Sequence, residues 1–171
     1  LLSTAYRYPG PASVRYPRGA GPGAVIETDL DTIEIGKANL RRQGRQVALL
    51  AFGTMLAQAL KAAEELNATV VDMRFVKPLD AELVAQLASS HELIVTLEEG
   101  SVMGGAGSAV AEALSAAGFV KPLLQLGLPD QFIDHGDAQQ LLAKCGLDAA
   151  GIVGAVRQRL GSKDQRLVAN S

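Results

Sequence analysis

Arg18 is the side chain in this sequence best suited by type and position to hold a phosphate. It stands in Tyr16-Pro17-Arg18-Gly19, after a short β-prone stretch, Ser13-Val14-Arg15-Tyr16, and before glycines that let the backbone bend. Parallel α/β sheets place ligands at strand C-terminal ends, and a planar guanidinium fork matches two phosphate oxygens at once. The alternative is a solvated surface arginine, and residue chemistry alone leaves both open. Arg15 is expected in an internal ion pair. Glu98 and Glu99 end another β-prone run. Paired carboxylates could act as acid and base, but adjacent residues on an extended chain point to opposite faces, which favours a structural role. Gly104-Gly105-Ala106-Gly107-Ser108 could form an anion nest at a helix N-terminus. It is not a dinucleotide fingerprint, because Val110 stands where a sixth-position Gly or Ala is needed and loop separates it from the strand. Tight packing or an interface is the favoured role there. His91 and His135 have no ligand partner at useful spacing, so a zinc site is not expected.

Bulk properties narrow the partners. Net charge is −2 over 171 residues, which argues against a nucleic-acid binder or a membrane-surface protein. Residues 46–156 carry five Lys or Arg against thirteen acids, whereas cations such as Arg7, Arg15, Arg18, Lys37, Arg41, Arg42 and Arg45 gather near the N-terminus. A phosphate site is therefore expected within residues 7–45. The lone Cys145 allows no internal disulfide, which fits a reducing cytoplasm. No apolar run reaches the roughly 18 residues of a membrane span, and no signal peptide is apparent. The first residue is Leu1, in what reads as loop, and the expectation is a piece of a longer protein.

The elements that must position these side chains follow from periodicity. Val47–Phe52 is a near-continuous apolar run, as a strand buried on both faces requires. Thr54 can cap a helix through Glu65, with Asn67 as its stop. Ala68–Met73, Leu93–Leu97 and Pro122–Leu128 are further strands. Leu79–Ala88, Gly107–Ala117, Gln139–Cys145 and Asp148–Leu160 are helices. Arg74 and Lys77 sit at the edge of the strand that ends at Met73, and Asp80 can cap the following helix. Ile33–Ala38 reads as a short alternating strand and Arg41–Arg45 as a polar turn. This alternation predicts an α/β fold: a five-stranded, mostly parallel sheet with helices on both faces. Residues 1–24 are expected to be the end of a preceding α/β domain plus a linker, 25–160 the α/β domain, and 161–171 a frayed polar tail.

Three stretches in order carry a family resemblance: Tyr16-Pro17-Arg18-Gly19, Asp72-Met73-Arg74-Phe75-Val76-Lys77-Pro78-Leu79-Asp80, and Glu98-Glu99-Gly100-Ser101-Val102-Met103-Gly104-Gly105-Ala106-Gly107-Ser108. With Ile35-Gly36-Lys37, Phe52-Gly53-Thr54 and Leu126-Gly127-Leu128-Pro129-Asp130, the chain from about Gly10 to Leu160 resembles the C-terminal part of the 1-deoxy-D-xylulose-5-phosphate synthases, of the transketolase superfamily. The resemblance implies a transketolase C-terminal-like domain preceded by the end of a pyrimidine-binding-type domain. It implies an enzyme that condenses pyruvate with D-glyceraldehyde 3-phosphate, losing carbon dioxide, for isoprenoid, thiamine and pyridoxal biosynthesis. Thiamine diphosphate supplies the carbanion chemistry in that family, with Mg²⁺, and the protein supplies positioning and charge. Arg18 matches the family arginine that binds the aldehyde's phosphate. The segments that bind thiamine diphosphate and Mg²⁺, and the glutamate that activates the cofactor, have no counterpart in this sequence. The resemblance therefore implies no catalytic residue here, inactivity alone, a missing N-terminal part as partner, and a homodimer. The alternative within the superfamily is the C-terminal domain of a 2-oxoacid dehydrogenase β subunit.

Overall fold

The computed structural model describes residues 1–17 and 29–168. Its centre is a five-stranded sheet of β1 (Asn39–Arg42), β2 (Arg45–Ala51), β3 (Ala68–Asp72), β4 (Leu93–Ser101) and β5 (Leu123–Leu128), in the order β1-β3-β2-β4-β5. Strands β3, β2, β4 and β5 are parallel, and β1 runs antiparallel to β3 along one edge. The helices are α1 (Leu2–Arg7), α2 (Met55–Leu66), α3 (Ala81–Ser90), α4 (Ala106–Ala116), α5 (Ala138–Lys144) and α6 (Ala149–Val168).

Strand alternation sorts the central residues into two cores. Val47, Leu49, Ala51, Val70, Val95 and Leu97 meet α2 and α6 on one face. Ala48, Leu50, Phe52, Val71 and Ile94 meet α3 and α4 on the other. Burial on both sides is why these strands read as continuous apolar runs and not as alternating ones. Each fully buried Leu or Ile contributes about 1.5–3 kcal/mol.

The central strands and helices form where the sequence places them, with ends displaced by a few residues. Asn67 stops α2 in the left-handed region, at φ 47°, and Asp80 caps α3 by accepting from Leu83 N–H. Differences gather at the chain's first third. The expected strand over Ser13–Tyr16 does not form, and Leu2–Arg7 is helical instead. The edge strand is Asn39–Arg42, not Ile33–Ala38. Gly36 turns the chain at φ 77°, and side chains claim both backbone groups of Ala38: its N–H donates to Asp80 Oδ2 at 3.0 Å, and its carbonyl accepts from Arg74 Nη2 at 3.1 Å. Pairing therefore begins one residue later. The polar turn expected over Arg41–Arg45 contracts to Gln43-Gly44. Helix α6 continues past Leu160 to Val168.

Candidate functional site

In this topology the chain leaves β2 toward α2 on one face and leaves β4 toward α4 on the other. Adjacent parallel strands whose connections diverge open a crevice at their C-terminal ends, where α/β proteins bind ligands. Phe52-Gly53-Thr54 forms one side of it and Glu98–Gly105 the other. Gly53 turns at φ 63° with open space around it.

The opposite wall is filled by the protein itself. Glu98 is buried. Its Oε2 accepts from Ala106 N–H and its Oε1 from Gly107 N–H, each at 2.8 Å. A carboxylate on free N–H groups at the start of a helix is where a bound anion would sit. Here the anion is an internal side chain. Packing closes the rest: a Cβ on Gly105 would lie 2.4 Å from Glu98 Oε2, and one on Gly107 2.6 Å from Thr96 Oγ1. The Gly104–Ser108 stretch is thus a close-packed joint between β4 and α4, the role its sequence favoured. Glu98 is buried and Glu99 half-buried, and alternation sends their side chains to opposite faces. Thr96 Oγ1 lies buried beneath α4 with no hydrogen-bond partner.

A second joint lies at the end of β3. Arg74 takes a left-handed φ of 54°, and Phe75 N–H donates to Met73 carbonyl across it at 2.5 Å. Such a conformation is costly for a side chain larger than glycine. Arg74 is held there by Nη2 on the Ala38 carbonyl, while its Nε is buried without a partner. Asp72 beside it is half-buried. Burial pushes its carboxyl above the ordinary range, against the opposing pull of the Arg74 backbone N–H and the Arg74 and Arg41 charges. Asp80 serves both strands' loops, capping α3 and bonding Ala38 N–H, and Lys37 pairs with Glu82 at 3.3 Å on the surface. The Asp72–Asp80 stretch therefore shapes a loop and caps a helix.

At the other end of the sheet, His91 is buried in a chain of hydrogen bonds. Its Nδ1 is 3.1 Å from the Leu87 carbonyl, which can only accept, so Nδ1 carries the proton. Its Nε2 is hydrogen-bonded to Thr69 Oγ1 at 2.8 Å, and that oxygen accepts from Gly44 N–H at 3.0 Å. Lys121 Nζ donates to the His91 carbonyl. His91 thus ties the starts of β2, β3, β4 and β5 together; the signal in the sequence was its place directly after a helix and before a buried strand. His135 lies exposed in the loop after β5, far along the chain from His91.

Arg18 lies outside the described residues. Across that stretch, Ile33 N–H donates to the buried Thr4 Oγ1 at 2.9 Å. Arg15 is exposed, and ion pairs among the described residues include Lys37–Glu82 and Arg157–Glu65. No three His, Cys, Asp or Glu side chains among the described residues converge to hold a metal ion. Glu98 fills the α4 N-terminus, so a diphosphate would find those N–H groups already taken.

A four-stranded parallel core with an antiparallel edge strand, and helices on both faces, defines an α/β domain in which Glu98 caps one wall of the crevice from within. Residues 36–152 match the family model "Transketolase, C-terminal domain", and the chain belongs to that family. It is similar to 1-deoxy-D-xylulose-5-phosphate synthase of Bordetella avium, 64% identical over 162 residues, covering 95% of this chain and 26% of that protein. The synthase of Pseudomonas fluorescens is 62% identical over 94% of this chain and 25% of its own length. A solved structure described as a split gene transketolase, inactive β4 tetramer, is 41% identical with a TM-score of 0.70, over 75% of this chain and 44% of that one. The chain spans about a quarter of the length of the curated relatives it matches.

Proposed function

We propose that this chain is the C-terminal part of a thiamine-diphosphate-dependent transferase that makes 1-deoxy-D-xylulose 5-phosphate from pyruvate and D-glyceraldehyde 3-phosphate, with loss of carbon dioxide. The product would feed isoprenoid, thiamine and pyridoxal biosynthesis. The observation that carries this reading is the 64% identity across nearly the whole chain to a protein of that name. Arg18, in Tyr16-Pro17-Arg18-Gly19, grasps the phosphate of the acceptor aldehyde. Thiamine diphosphate and Mg²⁺ bind in the polypeptide that precedes this part in the relatives, so the 171-residue chain alone is inactive. The assembled enzyme is a homodimer in the cytoplasm. Self-association draws support from the similar structure, which is described as a tetramer of one chain type.

The test is a proton NMR assay of the chain joined to, or mixed with, the upstream polypeptide, given both substrates, thiamine diphosphate and Mg²⁺. Product is expected, and Arg18→Ala should raise the KM for the aldehyde by about tenfold or more, as loss of a charge-assisted phosphate contact requires, with the KM for pyruvate little changed. Absence of product from the reconstituted material would sink the reading. Product formation with an unchanged aldehyde KM in Arg18→Ala would remove Arg18 from it. A 2-oxoacid dehydrogenase, the alternative, would decarboxylate pyruvate without consuming the aldehyde.

A further inference from the structure

The two edges of the sheet are built differently. Edge strand β1 reads Asn39-Leu40-Arg41-Arg42, and its pairing with β3 is broken by a register shift between Leu40 and Arg42. Charge and irregularity are how sheet edges are kept from pairing with other chains. Edge strand β5 reads Leu123-Leu124-Gln125-Leu126-Gly127-Leu128, carries no charge, and leaves all six residues half-exposed. Among the described residues no strand pairs with its outer side. The backbone groups that face outward can be assigned. Pro122 carbonyl accepts from Ile94 N–H, and Leu128 carbonyl accepts from Val102 N–H. In a parallel ladder the N–H and C=O of one residue point the same way and alternate along the strand. Even-numbered residues therefore face β4, and Leu123, Gln125 and Gly127 direct both backbone groups to the open edge.

We propose that β5 is the surface by which two copies of this chain join, pairing antiparallel about a two-fold axis at Gln125; this rests on the self-association proposed above. In that register Gln125 pairs with its own mate and Leu123 pairs with Gly127 of the other copy, so every outward group finds a partner. Leu124 faces Leu126 of the other copy at the close, non-hydrogen-bonded positions on the α2 and α6 face, where apolar cross-strand pairs add stability. The arrangement is isologous, as a two-fold interface requires, and a second copy is the one occupant whose sequence supplies this complement without any further partner. Pro122 and Pro129 bound the pairing segment.

Sedimentation equilibrium on the chain, with amide hydrogen exchange across a concentration series, tests this. A dimer is expected, with the Leu123, Gln125 and Gly127 amides gaining protection as it forms. Gln125→Pro removes the outward N–H, which an edge strand tolerates, along with the side chain that packs on Gly107, and should weaken the dimer about tenfold or more relative to Gln125→Ala, which loses the side chain but keeps the N–H, since two symmetry-related hydrogen bonds disappear. A monomer at every concentration would overturn this surface, and would leave the homodimer of the assembled enzyme to contacts made by the upstream polypeptide. A dimer whose three outward amides exchange freely, or one unaffected by Gln125→Pro, would overturn the surface and leave self-association standing. Protection of those amides independent of concentration would mean that the chain covers its own edge, and would also overturn it. Should Gln125→Pro fail to fold, the exchange pattern of the unmodified chain decides.

Discussion

Single residues here do structural work that resembles catalysis in type but not in access. Glu98 is a buried carboxylate on the N-terminus of α4, and both of its oxygens are committed to backbone N–H groups. Glu98→Gln keeps the shape, exchanges one acceptor for an NH₂ facing a donor, and removes the charge that the helix end favours. A loss of about 2–3 kcal/mol is expected in urea unfolding, the range for a buried charged hydrogen bond. An unchanged midpoint would mean that the carboxylate does not anchor α4. Asp72 predicts the opposite sign. Burial raises its folded carboxyl above the ordinary value of 3.8. Between that value and the raised one, the folded chain binds more protons than the unfolded chain, so stability falls as pH rises through the window. At neutral pH the charged, half-buried group is a net cost. Asp72→Asn should be at least as stable as the original at neutral pH, and should lose that falling segment in a plot of unfolding free energy against pH. A variant clearly less stable at neutral pH would show that its link to the Arg74 N–H outweighs the burial.

At the scale of elements, glycine shows what packing adds to propensity. Gly107 and Gly154 both lie in helices, α4 and α6. A Cβ on Gly107 would meet Thr96 Oγ1 at 2.6 Å and Gln125 Nε2 at 2.9 Å, whereas one on Gly154 would meet nothing within 4 Å. Gly107→Ala should cost about 1–3 kcal/mol through overpacking, and Gly154→Ala should gain about 0.5–1 kcal/mol from helix propensity; thermal unfolding of the two variants side by side reads both. If both stabilise, α4 is not seated on β4 and β5 as closely as described. The same distinction explains what the sequence could reveal. Strands β2, β3 and β4 announce themselves because burial on both faces leaves runs such as Val47–Phe52 almost free of polar residues. Asn67 and Asp80 are legible because their local chemistry acts within a few residues. The edge strand β1 is not, because its start depends on Asp80 and Arg74 reaching Ala38 from about forty positions away, and no local pattern in Ile33–Ala38 records that. Helix α1 has only six residues and no side-chain cap, too little for periodicity to register. In the candidate site, the Gly104–Ser108 stretch announced a close approach of backbone, but not that Glu98 would be the anion filling it.

At the scale of the whole domain, the sheet has both faces covered, and Glu98 caps one wall of the crevice at its C-terminal end. Two cores, one under α2 and α6 and the other under α3 and α4, leave the C-terminal ends of the strands as the place where an α/β domain could receive a cofactor. Glu98 already takes the α4 amides that a diphosphate would need, and a second anion brought there would face a buried like charge. The charge distribution points the same way: residues 46–156 hold thirteen acids against five cations, so the body of the domain repels a polyanion. The phosphate contact proposed for Arg18 belongs instead to the basic N-terminal stretch. Isothermal titration of the 171-residue chain with thiamine diphosphate and Mg²⁺ should accordingly give no saturable heat up to about millimolar ligand, where binding is worth only about 4 kcal/mol. The upstream polypeptide, titrated alone or together with this chain, should bind the cofactor. Tight binding by the chain itself would require Glu98 to leave the α4 N-terminus. Exchange of the Ala106 and Gly107 amides, followed in the same titration, would show whether it had.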